Sequence, residues 1–334
     1  MLDPNADYVH LNSLANPEHE TGARYLERVR NLIIYRTGAI AGDERPLRIR
    51  FSDLPSHDQA RTLQLDPLAD RDEFHTFRSI VRTFGDAEFS LDDVRRAASE
   101  NLSEAARAVM LRIANLGVSE WSLWAEPGAS SLADLLSTEW RGAVLDISRF
   151  PRPIERSVVA LATLRHFWSQ REQRNPVLIV IDEAHNICPA EPQGPVQEAV
   201  TELAVTIAGE GRKYGIYLLV ATQRPDKLHP NVLSQCDNLM LMRMNSQSDL
   251  DDLASVFSFV PAGMLAKAAA FRQGEALFAG KITAAPFLLR VGARLSPEGG
   301  ADVPTSWATP APPHTTGPDT ERRPQVDNRT GDAS

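Results

Sequence analysis

Residues 175–186 read NPVLIVIDEAHN. Five consecutive apolar residues, Val177 to Ile181, run directly into two carboxylates, Asp182 and Glu183. An apolar run of this length between polar flanks reads as a buried strand of a parallel sheet. Charged side chains are rarely buried without partners, so two adjacent acids at such a strand end ask for a cation, a proton or a polarised water. In an open α/β sheet, ligands sit beyond the carboxyl ends of the strands. An Asp there can hold the water shell of Mg²⁺, a hard cation that prefers oxygen ligands. The adjacent Glu points to the other side of the backbone and can orient a water for in-line attack on a phosphate. The plainer alternative is an acid pair that caps the following turn.

A second apolar stretch, LLVATQRP (218–225), ends in Thr222, Gln223, Arg224 and Pro225. Two strands with polar residues at their carboxyl ends suggest one shared site. Gln223 is suited to sensing a γ-phosphate or placing the attacking water, although Gln-Arg-Pro also terminates strands unaided. Between the two lies GEGRKYG (209–215), where a helix of about 196–213 ends. Arg212 and Lys213 occupy its last turn, where the helix dipole favours cations in any case; the functional alternative is a guanidinium offered to the phosphates of a neighbouring subunit. His185 and Cys188 have near-metal spacing but no second ligand pair, and read as structural. Trp121 and Trp124 read as core rather than as a base-stacking platform.

Outward from these motifs, the second half alternates short apolar strands with amphipathic helices, which predicts α/β with a mostly parallel sheet and helices on both faces. The expected elements are strands at 143–148, 177–181, 216–222 and 238–244, helices at 154–171 and 196–213, and a late hairpin from EALFAG (275–280) and FLLRV (287–291). Residues 1–18 read as the start of the core and 19–141 as a mainly helical insertion, with NLIIYRT and LRIRF as possible strands inside it. The core resumes at 142–295. From 296 the chain is too poor in apolar residues to offset the entropy of ordering, so a disordered tail over 296–334 is expected. The net charge of −9 weighs against a diffuse nucleic-acid-binding surface but not against a local basic lining. No apolar run is long enough to span a bilayer, the first residues lack the pattern of a signal peptide, and two cysteines make no disulfide framework. A cytoplasmic protein without membrane contact is the expectation.

VLIVIDEAHNICP, GEGRKYG, LLVATQRP and GEALFAG occur in the order seen in HerA-like ATPases, relatives of the FtsK translocases, and the opening LDPNADYVHL is similar to that family's second core strand. The resemblance covers the first dozen residues and about 142–295. It implies a RecA-like P-loop fold and a hexameric ring that uses ATP and Mg²⁺ to move or unwind double-stranded DNA, often beside a nuclease or other effector. By the same resemblance Asp182 is the Walker B acid that holds Mg²⁺ through water and Glu183 is the catalytic glutamate beside it. Gln223 is the sensor, Thr222 a nucleotide contact and Arg212 the finger acting in trans. One departure is large: the chain contains no G-x-x-x-x-G-K-[ST] loop, and its sole Gly-Lys pair, Gly280-Lys281, precedes Ile282 in the late hairpin. The expectation is a chain that starts downstream of the family's P-loop. A non-hydrolysing subunit of such an assembly is the rival reading; a DEAH-type RNA helicase rests on one tetrapeptide.

Overall fold

The computed structural model describes residues 1–38, 40, 42–137 and 140–300. Six strands form one parallel sheet in the order β3-β2-β4-β1-β5-β6. They are β1 (Leu2–Asp3), β2 (Leu32–Arg36), β3 (Arg45–Pro46), β4 (Gly142–Asp146), β5 (Val177–Ile181) and β6 (Ile216–Val220). Helix α1 (Gly22–Arg28) precedes β2, and α2 (Ser56–Thr62), α3 (Arg71–Thr83), α4 (Leu91–Glu100), α5 (Glu104–Leu116) and α6 (Leu132–Leu136) separate β3 from β4. The crossovers β4–β5 and β5–β6 are made by α7 (Pro153–Ser169) and α8 (Pro195–Glu210).

Alternation along the strands assigns their faces, because successive side chains point to opposite sides. Leu2, Tyr35, Leu145, Ile179 and Ile181 are buried in one continuous core with Val158, Leu161, Val200 and Leu203 of α7 and α8. Ile34 and Val144 face the other way and pack with Val9 and Leu11 of the segment after β1, to which Tyr25 of α1 is tied by a hydrogen bond from its hydroxyl to the Leu11 carbonyl. At the β5–β6 end this second face is open. Leu178 is 57% exposed, Tyr217 49% and Leu219 41%. β5 is therefore covered on one side only, against the expectation of a fully buried strand. The outer edge of β6 has no neighbouring strand among the described residues.

Three strand assignments differ from the sequence reading in partner or place. β7 (Asn238–Leu241) does not join the parallel sheet; it pairs antiparallel with β8 (Glu275–Gly280), which pairs antiparallel with β9 (Phe287–Arg290). An apolar run shows that a strand is half-buried, not what it pairs with. β2, inside the stretch read as an insertion, is a core strand hydrogen-bonded to β4 from Leu32↔Gly142 to Tyr35↔Leu145, so the helical block starts only after β3. LRIRF forms no regular strand beyond a bridge of Ile49 to Trp124. The α8 region is closer to expectation: the helix proper ends at Glu210, a 3-10 turn covers Gly211–Tyr214, and Gly215 at φ +83° breaks it.

The helical block has its own aromatic centre, with Phe51 edge-on to Trp124 and Trp121 stacked on Trp124, as expected of core tryptophans. It is tied to α7 by Asp58, fully buried, which accepts from Arg165 Nε at 2.8 Å. Residues 296–300 were placed in the tail by composition, yet Ser296 is buried and Gly299 donates its N–H to the Asp7 carbonyl at 3.2 Å. The Gly299 bond to the loop after β1 ties down a stretch that has little apolar surface of its own. The remainder of the expected tail, 301–334, lies outside the described residues. No helix among the described residues is long and apolar enough to cross a membrane.

Candidate functional site at the carboxyl edge of the sheet

Because β1, β5 and β6 are parallel neighbours, their last residues emerge together on one edge. At the end of β1, the buried Asp3 carboxylate acts as a hub for the next turn. Oδ1 accepts the N–H groups of Asn5 (3.3 Å) and Asp7 (3.1 Å), and Oδ2 accepts that of Tyr8 (2.9 Å). This turn takes Ala6 through φ +63°. It sets Asp7 beside Asp182, so that carboxylate oxygens of Asp3, Asp7 and Asp182 lie within 4.8 Å of one another. Burial raises the pKa of Asp182, and the charges of Glu183, Asp3 and Asp7 raise it further against the Glu183 N–H it accepts. Asp3 is raised as well, by burial first and by Asp146 beside it, while its three N–H donors pull the other way. Convergent carboxylate oxygens whose mutual repulsion a divalent cation would offset are the donor set that suits Mg²⁺.

Glu183 begins the turn after β5 at φ +43°, a left-handed conformation that a side chain adopts at a cost of about 1–2 kcal/mol. One of its carboxylate oxygens is hydrogen-bonded and the other lies near a histidine. Gln223 Nε2 donates to Oε1 at 2.9 Å, and His185 Nδ1 lies 3.2 Å from Oε2. The same His185 Nδ1 is 2.9 Å from Thr222 Oγ1, which in turn accepts the Arg224 N–H at 3.0 Å. The register of β5 against β6, Ile181↔Val220, continues past the strands through Ala184 N–H to the Ala221 carbonyl at 2.8 Å. That pairing is why residues forty apart in sequence meet. Burial lowers the pKa of His185; Glu183 opposes that shift, and Arg224 and Lys227 reinforce it.

The edge thus brings together Asp182, Glu183, Thr222 and Gln223. It does not bring Arg212, which is exposed at the opposite end of β6 and pairs loosely with Asp237 at 3.5 Å. Sequence reading passed over Asp3 and Asp7, which look like ordinary turn residues in LDPNADY, and assigned His185 to structure. Cys188 is buried, and that burial pushes its thiol pKa up to about 12, which disfavours the reactive thiolate. Farther along the same edge, Arg36 of β2 lies 3.1 Å from Asp146 of β4.

Residues 127–244, the stretch containing this site, match the family described as "ATPase family associated with various cellular activities (AAA)". The DNA double-strand break repair helicase HerA of Pyrococcus furiosus is 32% identical over 116 residues, 35% of this chain and 20% of its own length. A probable HerA of Methanocaldococcus jannaschii is 28% identical over 128 residues, 38% of this chain and 25% of that protein. The matched part is thus a quarter or less of these relatives. Among solved structures, VirB4 of Thermoanaerobacter pseudethanolicus superposes with a TM-score of 0.58 at 15% identity, over 88% of this chain and 81% of that one. The bacterial conjugative coupling protein TrwB gives 0.51 at 12% identity, over 80% and 75%; it has also been solved with ADP and Mg²⁺. At such identities the two structures speak for the fold, a RecA-like sheet.

Proposed function

We propose that the chain, which is similar to HerA helicases over 35–38% of its length, supplies the Walker B half of an ATP-hydrolysing site. The observation that carries the reading is the Glu183 carboxylate, held from the neighbouring strand by Gln223 next to Asp182 and its acidic companions. Asp182 would hold Mg²⁺ through water, with Asp7 of the same carboxylate cluster to share the task; the ion's contribution when bound is to neutralise phosphate charge. Glu183 orients the attacking water and takes its proton. Gln223 fixes the direction of that carboxylate, and Thr222 presents its hydroxyl towards the nucleotide. The work done by hydrolysis is translocation or unwinding of double-stranded DNA by a cytoplasmic homo-hexameric ring, with a nuclease or similar effector as a possible partner. In that ring Arg212 acts on a neighbour's nucleotide.

The sequence holds no G-x-x-x-x-G-K-[ST] loop, so the phosphate cradle has to come from polypeptide other than residues 1–334. The open edge of β6 and the exposed Leu178, Tyr217 and Leu219 beside it offer a place for a further strand and its helix. The same absence favours a second reading, a non-hydrolysing subunit of such an assembly. Measuring ATP binding and hydrolysis, with and without DNA, on protein supplied with that phosphate-cradling polypeptide decides between them. Under the first reading Glu183→Gln lowers turnover by about 10²–10⁴-fold while binding persists. Equal turnover in wild type and variant removes Glu183 from the chemistry. Assembly with partner subunits but no hydrolysis by the wild type establishes the second reading.

A further inference from the structure

We propose that the segment Arg294–Gly300, which follows β9, is a clasp that positions Asp7 in the carboxylate cluster; this rests on the reading of Asp182 and Asp7 as the holders of a divalent cation. Asp7 owes its place to the turn after β1, whose inner side is held by the three N–H groups donated to the Asp3 carboxylate. Its outer side meets a segment that begins 287 residues later. Arg294 Nη2 donates to the Asp7 carbonyl at 2.6 Å, and the Gly299 N–H donates to the same oxygen at 3.2 Å. The Arg294 guanidinium also lies over the Tyr8 ring, 5.7 Å from its centroid. Its Nε donates to Oγ of the buried Ser296 at 3.3 Å. The Ala15 N–H, donated to the Leu295 carbonyl at 2.8 Å, fixes the clasp from beyond the turn.

The fit is close enough to dictate residue type. A Cβ on Gly299 would stand 2.1 Å from the Ala6 carbonyl oxygen and 3.1 Å from the Asp7 carbonyl carbon. Backbone atoms cannot swing aside as a side-chain end can, so a larger residue at 299 has to lift the clasp or displace the turn. Gly300, at φ +85°, would place a Cβ 2.9 Å from Asp7 Oδ1, an oxygen of the carboxylate in question. The turn needs such restraint for two reasons. It runs through Ala6 at φ +63°, a strained conformation for a residue with a side chain. It also carries the Asp7 carboxylate towards those of Asp3 and Asp182, and like charges repel. A guanidinium bonded to the Asp7 carbonyl supplies both a directional donor and a compensating charge.

Amide hydrogen exchange and Mn²⁺ titration on the full chain test the clasp, the first without any ion. In Arg294→Ala the Asp7 and Tyr8 amides should exchange about 10-fold faster than in wild type, or more, while those of β4 and β5 keep their rates. Gly299→Ala should do the same, and it carries the test should Arg294→Ala fail to fold. Gly292→Ala, whose Cβ would meet nothing within 4 Å, should change neither rate, and Arg294→Lys, which keeps a cationic donor, should recover most of the protection. Unchanged exchange in both Arg294→Ala and Gly299→Ala overturns the proposal. So does equal loosening of the whole sheet, which would make the contact one of general stability. Mn²⁺ affinity, read from the paramagnetic resonance of the free ion, should fall about 10–100-fold in Arg294→Ala, as for other groups that orient a metal ligand, and recover in Arg294→Lys. A loosened turn with wild-type Mn²⁺ affinity shows that the clasp does not position Asp7 for a cation. Wild type that takes up no Mn²⁺, or no more than Asp182→Asn does, refutes the cation reading instead, and the exchange rates then decide the clasp alone.

Discussion

Replacing Asp3 by Ala should unfold the chain at markedly lower urea while leaving the sheet's apolar packing intact. The wild-type carboxylate is buried and accepts three backbone N–H groups, two at good distance (2.9 and 3.1 Å) and one marginal at 3.3 Å. Hydrogen bonds to a charged acceptor contribute about 1.5–3 kcal/mol each, so the two good ones amount to roughly 3–6 kcal/mol. Part is returned because the variant no longer buries a carboxylate, whose desolvation, with repulsion from Asp146, raises the Asp3 pKa. A net loss of about 2–4 kcal/mol remains, a sizeable share of the roughly 5–15 kcal/mol that holds a domain. Asp3→Asn keeps one acceptor oxygen and sheds the charge, and should lose about 1 kcal/mol or less. The assay is equilibrium urea unfolding followed by tryptophan fluorescence, with the midpoint read at unchanged slope. An Asp3→Ala midpoint equal to that of Asp3→Asn would show that the carboxylate does not organise the loop, and the placement of Asp7 beside Asp182 would lose its cause.

Asp182→Asn should melt higher than wild type at neutral pH without Mg²⁺. The folded pKa is raised, so the fold binds the proton more tightly than the unfolded chain does and stability falls as pH rises from the unfolded value of 3.8. The gap should close below that pH, and millimolar Mg²⁺ should stabilise wild type alone; a variant that melts lower throughout refutes the repulsion. Glu183→Gly should be more stable than Glu183→Ala by about 1 kcal/mol, since both lose the side chain but only Ala keeps the left-handed penalty; at an ordinary position Ala would win. Under conditions where wild type hydrolyses ATP, mixing Arg212→Ala with Glu183→Gln protein should recover activity through interfaces that pair an intact Arg212 with an intact Glu183. No recovery in confirmed mixed assemblies leaves Arg212 a surface cation. Leu219→Lys, on the open face beside the β6 edge, should reduce concentration-dependent light scattering; unchanged scattering places self-association elsewhere.

β5 and β6 were legible because each is a continuous apolar run that ends abruptly in polar residues, and a parallel sheet puts those ends on the ligand side. β1 was not legible as a strand, since two residues carry no period; it was recognised only through the Asp-Pro turn that follows. β2 lies between charged flanks and was absorbed into the helical block, although its Leu-Ile-Ile run carries the apolar content of a core strand. β7 shows the limit from the other side, with its existence read correctly and its partner missed. Of the site, Asp182, Glu183, Thr222 and Gln223 follow from strand ends alone. Asp7 depends on how three N–H groups fold back on Asp3. His185 depends on a contact with Thr222, thirty-seven positions away, and no local spacing encodes either.

The polarity of the sheet constrains what Arg212 can do more tightly than any motif does. Asp182, Glu183, Thr222 and Gln223 leave the carboxyl ends of β5 and β6, whereas Arg212 enters β6 from its amino end, ahead of Gly215. Five residues of strand at about 3.3 Å each separate those ends by roughly 17 Å. Even a fully extended arginine side chain spans less than half of that distance, so the guanidinium cannot meet a phosphate held by its own chain's acids. Among the described residues it forms an ion pair with Asp237, 3.5 Å away and itself exposed. A weak surface pair of this kind contributes little to stability and releases the side chain at small cost. Arg212 is therefore either free surface charge or a group for another subunit, whose carboxyl edge would have to face this chain's amino edge. Head-to-tail contact of that sort is heterologous and closes into a ring when its rotation permits, which makes the mixed-subunit measurement a test of sheet polarity as much as of one arginine.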